Sequence, residues 1–552
     1  MCIRDRYTVF LRYGPTVVIR DSSRKDIDIR IELVAKESDT IDSRLRDIPE
    51  IISKAVPVIA DYVKQNGVHL IFANTRDTAE WIGSALNIYM ENDCVRVHHG
   101  SLDKDTRIKA ERELREGKIK ALVATSSMEL GIDIGHIDTV IQFGSPRQAI
   151  RLLQRIGRSK HKLELVSKGI IVIPETTIFE ILESIVLARR TKNNDLEEMA
   201  IPKRRYSPLT HQIIGILISN RVMSIDELFD IVTSTLPYRD LSKEELVNLL
   251  EFLDQIGLAR LDDEKKVVKI GRRAISYYFS TTMIPDETRY EVIDAVARKR
   301  IGFVDKDFLI TSLPAENTII LAGKTWRIIS VSEDKIFVDE AKEDTGLPPI
   351  WTGELIPVYY KVAREVCAIM RRIIRDRNYF FLVKEYNVPK FIAEKIATTI
   401  LDYERRGSLL PTDKDVVVGI AGNYLVIYAC LGSRGCEALG MLLSMLIHEV
   451  TGCRASYYST PYYVLFYIPR PITLQEVRII LEKMRSPDVV KNLEKILKNT
   501  VRLSPLYRVK MVEIATKMGV IDKNALDNTK NISYSPLILK LRDTPVEEEV
   551  LH

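Results

Sequence analysis

One run of residues limits what this chain can become: ALVATSSMELGIDIGHIDTVIQFGSPRQAIRLLQRIGRSKH, residues 121–161. Ala121 to Thr125 is short and apolar and stops at Thr125-Ser126-Ser127, the pattern of a buried parallel strand that delivers hydroxyls to its carboxyl end. In open α/β sheets that edge is where ligands bind. A second strand is expected from Thr139 to Phe143, then a helix on which Arg151, Arg155 and Arg158 share one face. No acid occurs between Asp138 and Glu164. Guanidinium groups crowded on one face need counter-charge, and a bound polyanion is the expected source.

The segments before this run repeat its logic. Val68 to Ala73 reads as a strand ending in Asn74-Thr75-Arg76, followed by a helix through Tyr89 with Ile82, Ala85, Leu86 and Tyr89 inward and Thr75 or Asp77 as cap. Arg76, at a strand end and a helix start, suits a phosphate. The strand Val95 to His98 leads into His99-Gly100-Ser101, where glycine admits a close backbone approach and serine adds a donor. The charged helix after it pairs Arg107 with Glu111, Glu111 with Arg115 and Arg112 with Glu116, and reads as a solvated outer face. Asp47 to Gln65 has helical spacing interrupted at Pro57, and residues 8–34 hold extended pieces. Strand and helix alternate from 8 to about 195, so this region reads as one domain with a mainly parallel sheet.

The pattern then changes. Leu209 to Ser219, Ile225 to Thr233 and Lys243 to Ile256 are helical, and ARLDDEKKVVKIG folds back as a ribbon, which together make a winged helix. Its acids Asp226, Glu227, Asp230, Glu244 and Glu245 argue for a hinge rather than a phosphate grip. From Glu287 the chain is β-rich. GKT at 323–325 is no phosphate loop, because Thr318 stands where its first glycine belongs and strand runs into strand. Asp339-Glu340 resembles an acidic metal box only superficially. Trp351, in a Pro/Gly-rich loop, suits stacking on a base as well as core packing. Lys361, Arg364, Arg371, Arg372 and Arg375 make a basic helix face that would line a single-strand channel or simply be wet.

At 552 residues several domains are expected, and a net charge of +5 is too mild to argue for nucleic acid by itself. Six cysteines, Cys2, Cys94, Cys367, Cys430, Cys436 and Cys453, include no CxxC pair, which suggests reduced thiols, no structural zinc and a cytoplasmic protein. MCIRDR leads into no apolar segment, and the apolar stretch Ala438 to Ile447 is too short to cross a bilayer, so no membrane role is expected.

ATSSMELGIDIG with QRIGR resembles motifs V and VI of superfamily 2 helicases, and HLIFANTR resembles motif IV. With SPLTHQIIGILI, LPYRDLS, IPDETRYEV, IGFVDKDFL, LAGKTWRIISV and PPIWTGE, the chain resembles the large helicase-related (Lhr) family over most of its length. The resemblance implies a multidomain α/β architecture. Residues 1–195 would be the second RecA-like domain with an incomplete lead-in, and 196–285 a winged helix. Residues 286–365 would be a β-rich, barrel-like domain, and 366–552 its mixed α/β continuation. It also implies ATP-driven 3′ to 5′ translocation on single-stranded DNA, unwinding of duplexes or RNA-DNA hybrids, and a link to DNA repair.

Carried onto this sequence, the resemblance makes Arg155 and Arg158 the arginines that reach the γ-phosphate, with Gln154 coupling the site to domain closure and Gly131 and Asp133 beside the nucleotide. Asn74, Thr75, Arg76, Gly100, Ser101, Thr125 and Ser126 would hold strand phosphates, and Trp351 would stack on a base. Ser159 and Lys160 depart from the family's usual motif VI and leave both arginines intact. No GxxxxGK[ST] run and no DEAH box occurs, so the ligands of Mg²⁺ and the grip on ATP are expected outside this chain, on a first RecA-like domain in cis or in trans. The expected reading is therefore the C-terminal part of an ATP-dependent helicase, from a truncated or split gene, without ATPase of its own. The alternative is a stand-alone nucleic-acid-binding or regulatory subunit that completes an ATPase with a partner.

Overall fold

The computed structural model describes residues 26–34, 42–46, 48–99, 104–129, 136–160, 166–174, 176–198, 201–262, 264–283, 289–298, 300–305, 318–321, 324–332, 335–340, 356–521 and 535–551. The chain divides into two compact units, Asp21–Glu198 with Glu354–Lys491, and Met199–Gly353 with Asn492–His552.

In the first unit β1 (Ile27–Leu33), β2 (His69–Phe72), β3 (Val95–His98), β4 (Ala121–Ala124), β5 (Thr139–Phe143) and β6 (Ser167–Ile173) form one sheet, ordered β1-β6-β5-β2-β4-β3, with every pair parallel. The helices α1 (Val56–Val63), α2 (Arg76–Met90), α3 (Lys104–Arg115), α4 (Ala149–Ile156) and α5 (Ile178–Asn193) accompany it. Side chains alternate across a strand, so the sheet feeds two cores: Leu70, Phe72, Leu122 and Val140 on one face, Ile71, Val123 and Ile141 on the other. β2 and β4 are buried throughout and, apart from His69, apolar, because both their faces are covered. The break expected at Pro57 is real: a short turn, Glu50–Ser53, ends before it, and α1 takes the proline into its first turn. α4 presses so closely on β6 that a Cβ at Gly169 would come within 2.5 Å of Ile156 Cδ1.

Two acids of α3, Glu111 and Glu113, turn inward, while Ile108, Lys109, Arg112 and Arg115 are exposed. Glu111 accepts from His98 Nε2 at 2.9 Å and Glu113 from Arg96 Nε at 3.0 Å, because both turn towards β3.

In the second unit α6 (Tyr206–Asn220), α7 (Ile225–Thr233) and α8 (Lys243–Gln255) pack with β7 (Val222–Ser224), β8 (Ala259–Asp262) and β9 (Val267–Ile270), an antiparallel sheet ordered β7-β9-β8. Helix starts follow local chemistry: Ser224 caps α7, and Ser242 with Glu245 closes a capping box on α8. Five further strands, β10 (Arg289–Asp294), β11 (Arg300–Asp305), β12 (Thr318–Leu321), β13 (Lys324–Val331) and β14 (Lys335–Glu340), are ordered β11-β10-β14-β13-β12. Lys324 and Thr325 pair with Leu321 and Ile320 as strand residues, as their context implied, while Gly323 lies outside the described residues.

Residues 356–491 return to the first unit. The helix α9 (Tyr360–Asp376) packs on α5, and its Glu365 receives Arg189 and Arg190 of α5, each at 2.7 Å. The basic face expected of α9 is largely neutralised: Lys361 pairs with Glu198, Arg371 with Asp413, Arg372 with Glu385 and Arg375 with Asp376. Those partners lie on other segments or next in the chain, so helical spacing alone overstates the positive charge available to a strand. Beyond α9, β15 (Val417–Ala421), β16 (Tyr424–Tyr428), β17 (Ser456–Ser459) and β18 (Tyr463–Tyr467) make an antiparallel sheet ordered β15-β16-β18-β17. Two helices, α10 (Gly432–Thr451) and α11 (Leu474–Met484), accompany that sheet. Cys367 of α9 and Cys430 form a disulfide, which overturns the expectation of reduced thiols throughout: packing brings their Cα atoms to 6.5 Å although 63 positions separate them. Among the described residues no helix is long and apolar enough to cross a membrane.

Candidate functional site

The carboxyl ends of β2, β4 and β5 lie side by side in the sheet, and each carries polar residues. Beyond β2, Asn74 donates from Nδ2 to the Ser145 carbonyl at 2.8 Å and so ties this end to the one beyond β5. Thr75 caps α2 and is exposed, and Arg76 opens that helix. Beyond β4, Thr125 is buried, Ser126 is half-buried, and Ser127 donates to the His98 carbonyl while its hydroxyl meets His98 Nδ1 at 2.9 Å. His98 in turn meets Glu111, so the ends of β3 and β4 are locked together.

Behind this edge lies Glu129. Arg155 donates to its Oε1 from Nε at 2.9 Å and Nη2 at 2.6 Å, and Arg151 Nη1 stands 3.5 Å away. Arg155 also donates to Gln142 Oε1 at 2.5 Å and Asn74 Oδ1 at 3.1 Å, and its guanidinium lies over the Phe72 ring. Glu129 therefore supplies counter-charge to Arg151 and Arg155 from within the chain. Counting acids between 138 and 164 missed it because the loop after β4 folds back onto α4.

Arg155 is wholly buried in this network. Arg158 differs. Helix α4 ends at Ile156, so Arg158 leaves the shared face; it is half-buried, and Nη2 donates to the Glu129 carbonyl at 2.7 Å. Partial desolvation draws the Arg158 pKa down from its ordinary value, the condition in which an anionic neighbour gains most. Gln154 is half-buried on α4. Gly100, Ser101, Gly131, Asp133 and Trp351 lie outside the described residues. The amides of Ala149 and Ile150 are taken by Glu197 at 2.7 and 2.9 Å, so the start of α4 already has its anion. Among the described residues no group of three or more His, Cys, Asp or Glu is placed to hold a metal ion.

A second buried cluster adjoins the edge. Glu183 of α5 receives Ser145 and the Tyr462 hydroxyl, with Arg147 at 3.3 Å. Arg147 adopts φ 64°, a conformation uncommon for arginine. Nothing in the sequence marked Glu183, Arg147 or Tyr462, because their meeting depends on packing across 279 positions. Burial pushes Glu183 above its ordinary carboxylate value although Arg147, Ser145 and Tyr462 pull the other way. A folded-state pKa raised this way means the native protein holds the proton more tightly than the unfolded chain. Its contribution to stability should therefore fall as pH rises from the ordinary value of 4.5 towards the folded-state value. Unfolding midpoints across that range should decline more steeply in the native sequence than in Glu183→Gln; parallel profiles would refute the assignment.

Residues 50–161 match the helicase conserved C-terminal domain, 189–347 the winged helix domain of the large helicase-related protein, and 410–548 the DEAD/H associated domain. These three domain matches together support a C-terminal portion of a helicase of the large helicase-related family. The chain is 28% identical over 514 residues to the ATP-dependent helicase Lhr-Core of Methanocaldococcus jannaschii, covering 90% of this chain and 59% of that protein. It is 27% identical to the ATP-dependent helicase Lhr-Core protein 2 of Thermococcus barophilus, covering 94% and 61%. It thus spans about three-fifths of the length of these curated relatives. The structure of Mycobacterium smegmatis helicase Lhr bound to ssDNA and AMP-PNP matches all of this chain and 68% of that one, with a TM-score of 0.74 and 19% identity, a likeness of fold.

Proposed function

We propose that this chain supplies the arginine-bearing second RecA-like lobe, winged helix and family-specific C-terminal region of an ATP-dependent helicase that moves along single-stranded DNA. The observation that carries the reading is the sheet edge: Asn74, Thr75, Arg76, Thr125 and Ser126 converge at adjacent strand ends, and Arg158 lies close behind them on Glu129. Their chemistry suits phosphates, through amide, hydroxyl and guanidinium donors. Gly100 and Ser101 would extend this strand-binding edge, Gly131 and Asp133 would face the nucleotide, and Trp351 would stack on a base.

Arg158 would stabilise charge on a transferring phosphoryl group, while Arg155 would hold α4 and the loop after β4 in register. Gln154, beside Arg155, would transmit closure of the lobes. ATP and Mg²⁺ supply the phosphoryl chemistry when bound. The described residues fit the cationic side of that site and not its metal-holding side. A lobe bearing the phosphate loop would complete it, in cis or in trans. The 3′ to 5′ polarity, action on RNA-DNA hybrids, a place in DNA repair and a cytoplasmic setting belong to this proposal.

The 552 residues alone, mixed with ATP, Mg²⁺ and single-stranded DNA, are expected to give no turnover above background. A lobe carrying the missing motifs should restore DNA-stimulated hydrolysis, and Arg158→Ala should then lower it by roughly a hundredfold or more. Turnover by the chain alone, or indifference to Arg158→Ala, would overturn the reading.

A further inference from the structure

The four-stranded sheet of the first unit has one largely buried face and one that is covered where Tyr428 meets Phe179 and open elsewhere. Leu425, Ile427, Val464 and Phe466 are buried, and on the same side Tyr457 bonds Glu437 of α10. Register fixes what lies opposite. Tyr424 pairs with Tyr467, Tyr428 with Tyr463, and Tyr458 with Leu465, which itself pairs with Val426, so five tyrosines share the other face. Tyr424, Tyr458 and Tyr467 are 50%, 65% and 44% exposed. The cross-strand rings sit together, with centroids 5.5 Å apart for Tyr424 and Tyr467 and 5.3 Å for Tyr428 and Tyr463.

We infer that this tyrosine face is a stacking platform for the bases of a single-stranded nucleic acid. Aromatic rings presented from a four-stranded sheet offer each base a π-face whatever its identity. Buried packing would have favoured aliphatic residues, whereas tyrosine keeps its hydroxyl in water. The charges agree. No strand residue on this face is acidic, and the exposed Arg454 lies two positions ahead of Ser456, beyond the end where Tyr424 and Tyr467 pair. Asp415, ahead of β15, is engaged by Thr412.

The face is also tied, through packed interior residues, to the proposed strand-binding edge. Tyr428 stacks on Phe179 of α5 and Phe179 on Tyr462, whose hydroxyl reaches Glu183 beside Arg147 and Ser145. Ser145 is where Asn74 is anchored. The inference deepens the proposed function and rests on it only for the class of ligand.

The test is fluorescence anisotropy of a labelled oligothymidylate with the full chain. Tyr424→Leu with Tyr467→Leu should weaken binding by roughly tenfold or more, while Tyr424→Phe with Tyr467→Phe keeps it, since rings and not hydroxyls carry the contact. Unfolding midpoints establish that both pairs fold. Asn74→Ala with Thr125→Ala reads the phosphate edge separately: loss there with indifferent leucine variants overturns the platform alone, and the converse overturns the edge alone. The platform also fails if the native chain does not bind the oligonucleotide, or if the phenylalanine pair loses as much as the leucine pair. Sedimentation showing that the leucine pair dissolves a dimer while leaving oligonucleotide binding intact would assign the face to a second copy instead.

Discussion

Glu129→Gln is expected to destabilise the first unit by about 3–5 kcal/mol, because it takes a carboxylate away from the buried Arg155 guanidinium. The side chains of Arg155 and Glu129 are 1% and 8% exposed, so water cannot replace the lost charge. Gln142 and Asn74 would still accept from Arg155, but neutral acceptors recover only part of an ionic partner's contribution. Replacing both members of the pair by methionine should cost less than replacing Glu129 alone, since no orphaned charge remains. Denaturant midpoints decide the matter: a single variant no worse than the double would show that the pair is not the keystone proposed here. Arg158 provides an internal control. It holds Glu129 by the backbone carbonyl, so its anchor survives the substitution, and a loss of stability need not remove the arginine proposed to meet phosphate.

The same residues show what the sequence discloses and what it withholds. Strands β4 and β5 and the helix after them were legible because apolar runs and helical spacing are local signals. Winged-helix elements were legible for the same reason, reinforced by caps at Ser224 and Ser242. The roles within the arginine row were not. Periodicity treats Arg151, Arg155 and Arg158 as equivalent, yet α4 stops between the last two, so one guanidinium turns inward and the other stays at the surface. Glu129 stood inside the motif that drew attention, but its partners lie 22 and 26 positions on, beyond the reach of any local pairing rule. The tyrosine face was hidden differently: alternation places tyrosines on one side of a strand, but only register between strands brings those rows together.

Breaking the Cys367–Cys430 bond is expected to cost about 4 kcal/mol, from the loop entropy returned to the unfolded chain when 63 positions are no longer closed. Both sulfurs belong to wholly buried residues, one on the helix that packs against α5, the other just ahead of α10. The bond therefore fastens the C-terminal sheet region to the helix that meets the helicase lobe. Burial has a kinetic consequence as well: a reductant reaches these sulfurs only when the unit opens, so reduction should track unfolding rather than reductant concentration. Guanidinium midpoints of Cys367→Ser with Cys430→Ser, set against the native chain without reductant, measure the energetic part. Alkylation of the denatured, unreduced chain tests the bond itself, since modification at both positions would show two thiols. In that case the two variants should differ by no more than a buried polar substitution, because the entropy invoked here comes from the covalent closure and from nothing else in the packing around it.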